Sequence, residues 1–142
     1  MYQGLLHAHS GLRWIVLILI IITVINAIRA MNGNNVFNAN DKKLSLFALI
    51  STHLQAVLGL ALYFMSPKVQ FSADTMSNSM LRFFTMEHTL MMLIAIILVT
   101  IGNRMAKTGN AKRVFWYYFI ALVIILAAIP WPFREALGSG WF

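Results

Sequence analysis

The stretch HAHSGLRWIVLILIIITVINAI, residues 7–28, decides the fold. From Ile15 onward it is apolar, broken only by Thr23 and Asn26. A run of about 20 such residues makes a helix long enough to cross roughly 30 Å of hydrocarbon. Its front end carries His7, His9 and Arg13, which are costly side chains to place at the mouth of a membrane span.

Working outward, three more apolar segments follow. The expected spans are 5–28, 44–65, 83–101 and 114–129. The fourth stops at Pro130-Trp131-Pro132, and Trp131, Phe133, Trp141 and Phe142 extend it as an interfacial aromatic belt. The connections 31–43, 66–80 and 102–113 are polar and read as loops. The composition agrees: 60% of residues are hydrophobic and 11% charged, with a mean hydropathy of +0.75. Soluble domains are about one-quarter charged. The chain is therefore expected to be all-α, a single integral-membrane domain over residues 1–142, packed as an up-down four-helix bundle. The N-terminus lacks a Lys/Arg-rich leader and a small-residue cleavage site, so the first span is expected to be retained.

The net charge of +7 is a topology signal. Arg29, Lys42, Lys43, Arg104, Lys107, Lys112 and Arg113 fall in the 1–2 and 3–4 connections. Arg13, Lys68, Arg82 and Arg134 fall at the other end. This bias orients the chain in a cell inner membrane with both termini on the non-cytoplasmic side. No basic stripe is interleaved with aromatics, so nucleic acid is not an expected partner. There is no cysteine, which excludes disulfides, thiolate-held clusters and covalently attached c-type haem.

All four histidines lie in or at the mouth of a span. His9 sits roughly 6 Å into span one and His88 roughly 8 Å into span three, from the same side. Spans one and three are diagonal in a simple up-down bundle, roughly 11–14 Å apart. Two inward imidazoles across that gap suit the axial pair of one b-type haem, and His9 and His88 are the expected ligands. His7 lies about 200° round the helix from His9, so only one of the two faces the centre. Arg13 shares a face with His9 and is a candidate partner for a haem propionate, with Glu87 as its other candidate partner. His53 lies roughly 13 Å into span two and is a reserve ligand or a quinone contact. Span four has no histidine to complete a second pair, so one haem is expected. Gln55 and Gly59 share a face of span two, and the glycine makes room for a flat macrocycle or a close helix.

The segments HSGLRW (9–14), HLQAVLGLALYF (53–64), EHTLMMLIAIILVTIGNR (87–104) and IPWPF (129–133) together resemble the short bacterial four-span proteins of cytochrome b type. More remotely the chain is similar to one half of haem A synthase, with His9, His88 and the Q-x-x-L-G motif at 55–59 as the matching positions. It departs from that family in having one half only, with its Glu-His pair on span three. The resemblance implies haem binding; the expected role is electron transfer, with a quinone or a membrane or extracytoplasmic redox protein as partner. The competing readings are a non-catalytic subunit of a larger membrane complex, its polar residues acting as interhelical glue, and a small proton or metal conduit through His53, Glu87 and Arg13.

Overall fold

The computed structural model describes residues 1–34 and 36–138. The expected belt residues Trp141 and Phe142 lie outside them. Four helices are long and apolar enough to cross a membrane: Tyr2–Asn32, Ala39–Met65, Ser79–Thr108 and Ala111–Ala128. They are called the first to fourth helices below. No strand occurs among the described residues, only one isolated bridge between Val36 and Asn110.

The helices are longer than the apolar runs, and the second, third and fourth are capped at their starts by asparagine side chains. The second begins at Asn38, whose side chain accepts from the Asn40 and Asp41 amides. Asp41 accepts in return from the Asn38 amide, closing a capping box. The third begins after Asn78 in the same manner. It ends at Gly109, whose φ of +79° suits glycine and turns the chain sharply. Asn110 then caps the fourth helix by accepting from the Arg113 amide. The segment 102–113, expected as a loop, is thus helical except for Gly109 and Asn110. Side-chain caps and a left-handed glycine satisfy the terminal backbone groups where hydropathy shows only polarity. The fourth helix stops before Pro130, which has no N–H to continue the ladder.

The first helix packs against the second and fourth, and the third also packs against the second and fourth. The first and third are therefore diagonal. The first and second helices are joined at the end where the third turns into the fourth. There the Phe37 amide donates to the Gly109 carbonyl at 2.9 Å. The core uses small residues to bring backbones close: Ala48, Ala95, Gly102, Ala106 and Ala121 are all buried. A Cβ on Gly102 would stand 2.7 Å from the Tyr118 ring. The Tyr118 hydroxyl donates to the Ser45 carbonyl at 3.0 Å and lies 2.8 Å from Ser45 Oγ, which donates to Asn103 Oδ1 at 3.0 Å. This buried network ties the second, third and fourth helices together. The outward surface is apolar, with Ile18, Val57, Phe64 and Leu93 more than half exposed.

Candidate functional site

The site lies at the end of the bundle opposite Gly109. His9 comes from the first helix and His88 from the third. Their ring centroids are 6.4 Å apart, with the rings inclined at 72°. Two imidazoles on opposite sides of one metal ion have centroids roughly 6 Å apart, because each metal–nitrogen bond is about 2 Å and the ring centre lies about 1 Å behind the nitrogen. The observed spacing is of that order, and is also that of an edge-to-face contact between two rings.

His88 reaches this position through an irregularity in its own helix. Phe83–Glu87 is π-helical, and the His88 amide donates to the Phe83 carbonyl five residues back. Such an insertion shifts the facing of everything beyond it, and π-segments recur at functional sites. The His88 ring then meets the fourth helix: Nδ1 lies 2.8 Å from the Ala128 carbonyl oxygen. A carbonyl only accepts, so Nδ1 carries the proton and Nε2 keeps its lone pair. Phe83 and Phe84 flank the ring at 5.8 and 6.4 Å between centroids.

His9 is positioned by the second helix. Gln55 Nε2 donates to the His9 carbonyl at 2.8 Å. Gly59 faces the His9 ring, and a Cβ there would come 3.0 Å from Cε1. Gly59 therefore accommodates the imidazole itself. His9 Nδ1 and Gln55 Oε1 are buried and have no hydrogen-bond partner among the described residues. Buried polar atoms in that state are uncommon and ask for a ligand or an ordered water.

The other expected residues separate. His7 is exposed. His53 is exposed on the outer surface of the second helix, where its Nδ1 contacts the Leu49 carbonyl of its own helix at 2.9 Å. The structure does not bring it to His9 or His88. Glu87, the candidate partner of Arg13, is taken by Arg82 at 2.8 Å. Arg13 places its guanidinium carbon 5.1 Å from the Trp14 ring, and Trp14 meets Trp131 at 6.1 Å.

Two further cations, which carry no site signal in the sequence, lie over the phenyl rings that flank His88. The Arg134 guanidinium lies 4.7 Å over Phe83, and the Lys68 ammonium 4.9 Å over Phe84. Lys68 also donates to the Leu137 and Gly138 carbonyls. Burial pushes its pKa below the usual lysine value. Their loop positions carried no signal, because only the fold sets them against the phenyl rings beside His88.

Among the described residues no group of three His, Asp or Glu side chains converges on one point. The arrangement offers two imidazoles close enough to hold one metal-centred group between them, with Lys68 and Arg134 over the phenyl rings beside His88. No family model, curated protein or solved structure matches this chain.

Proposed function

We propose that this chain is a multi-pass protein of the cell inner membrane that holds one b-type haem and transfers electrons. The observation that carries the reading is the 6.4 Å separation of His9 and His88 on diagonal helices. When bound, the haem iron takes up and releases one electron. His9 and His88 would hold it from either side. The Ala128 carbonyl keeps the Nε2 of His88 in the lone-pair form, and Gly59 and Gln55 hold His9 in register. Arg13, Lys68 and Arg134 supply positive charge near the site for two propionates, which need cationic partners when removed from water. Holding the haem by two histidines would favour electron transfer over oxygen chemistry.

The cation-rich end, with Lys42, Lys43, Arg104, Lys107, Lys112 and Arg113, faces the cytoplasm in this reading. The site and both termini then face the other side. A quinone or an extracytoplasmic redox protein would exchange electrons there.

The test is a visible spectrum of the purified protein, oxidised and then dithionite-reduced. A sharp Soret band with resolved α and β bands on reduction is expected. A featureless spectrum, unchanged after hemin is added, would remove the haem and leave a structural subunit of a larger complex.

A further inference from the structure

An open groove of about 450 Å³ runs between the third and fourth helices, at the end remote from the histidines. It is lined, from the helix end inward along the fourth helix, by Lys112 and Arg113 (its mouth), then Trp116 and Tyr117, then Ile120 with Leu98 of the third helix (its floor). Ile120 lies eight residues beyond Lys112, roughly 12 Å along the helix, and Leu98 lies at comparable depth on the antiparallel third helix. The groove is therefore graded: charge at the helix ends, aromatic rings next, hydrocarbon below.

We propose that this groove binds one anionic glycerophospholipid, its phosphate between Lys112 and Arg113 and an acyl chain against Trp116, Ile120 and Leu98. The proposal rests on the membrane location given above and is independent of haem.

Charge complementarity selects the occupant. No carboxylate lines the groove. Among the described residues this end of the bundle carries seven cations, and its one acid, Asp41, is already held by Asn26 and by the Asn38 cap. Lys112 and Arg113 also stand in the first turn of the fourth helix, where cations oppose the helix dipole. Their placement is therefore not explained by stabilising the helix that carries them. Basic clefts between helices on the cytoplasmic side are suited to anionic headgroups. A soluble anion would use the mouth but leave the apolar floor without purpose. A zwitterionic lipid would fill the floor but not answer the charge.

Native mass spectrometry of the detergent-solubilised protein tests this, with phosphatidylglycerol and phosphatidylcholine of identical chains added at equal concentration. One phosphatidylglycerol should be retained, with roughly 10- to 30-fold preference over phosphatidylcholine. K112Q/R113Q should lose the preference. Ile120→Trp, which fills the floor and leaves the charge intact, should lose the lipid. K42Q/K43Q, an equal charge change at a separate cleft, should keep it within about 2-fold. Equal retention of both lipids overturns the proposal, as does equal loss in K42Q/K43Q and K112Q/R113Q. Full displacement by millimolar inorganic phosphate overturns it too, in favour of a simple anion site. Should K112Q/R113Q fail to fold, Ile120→Trp decides. A wild-type chain that stays in the supernatant when membranes are pelleted would instead remove the membrane location itself, a result separable from all of these.

Discussion

His9 and His88 face each other at 6.4 Å although the helices that carry them are diagonal in the bundle. Two elements make the approach. Gly59 leaves the second helix without a side chain where the His9 ring must pass. The π-segment Phe83–Glu87 adds a residue to the turn before His88. The pairing therefore depends on four residues in different helices acting together: His9, Gly59, His88 and Ala128.

Removing either imidazole should abolish haem retention. His9→Ala and His88→Ala are expected to lose the Soret band after purification. His7→Ala and His53→Ala should keep it, because both side chains are exposed on the surface. Absorbance ratios at the Soret band and 280 nm read all four variants. Retention in both of the first two would overturn the ligand assignment.

Gly59→Ala should loosen His9 without altering any ionisable or polar side chain of the proposed site. The new Cβ would stand 3.0 Å from Cε1, so the ring must yield. Overpacking of this kind costs about 1–3 kcal/mol. Hemin titration should show roughly a 10-fold or greater weakening, with the reduced spectrum broadened as one axial bond lengthens. Affinity equal to wild type would show that the glycine is only a packing choice.

Neutralising the rim should move the reduction potential. Arg13→Gln, Lys68→Gln and Arg134→Gln each remove positive charge near the site. A nearby cation favours the reduced, less positive iron, so each variant should titrate at a lower potential than wild type. Spectroelectrochemistry at constant pH measures this. An unchanged potential in all three would place the propionates elsewhere.

Tyr118→Phe separates stability from the site. Its hydroxyl bonds to Ser45 in a network far from the histidines. Losing it should cost about 1–2 kcal/mol and leave buried Ser45 groups underserved. A lower melting temperature with an unaltered haem spectrum is the expected result.

The four long helices were legible in sequence because hydropathy is local: each contains an 18-residue window of high mean hydropathy, whatever surrounds it. The diagonal relation of the first and third helices follows from short links and antiparallel order. The helix ends were less legible. Asn38, Asn78 and Asn110 are capping residues, and polarity alone reads them as loop. Of the site, the sequence on its own singled out His9 and His88 by depth and Arg13 by its helical spacing from His9.

Only the tertiary structure separated His53 from the pair and gave Glu87 to Arg82. It also brought Lys68 and Arg134 over the phenyl rings beside His88. The physical reason is rotational. Depth along a helix is set by counting residues, but the direction in which a side chain points depends on how neighbours pack and on each departure from 3.6 residues per turn. In this protein one such departure sits directly before His88.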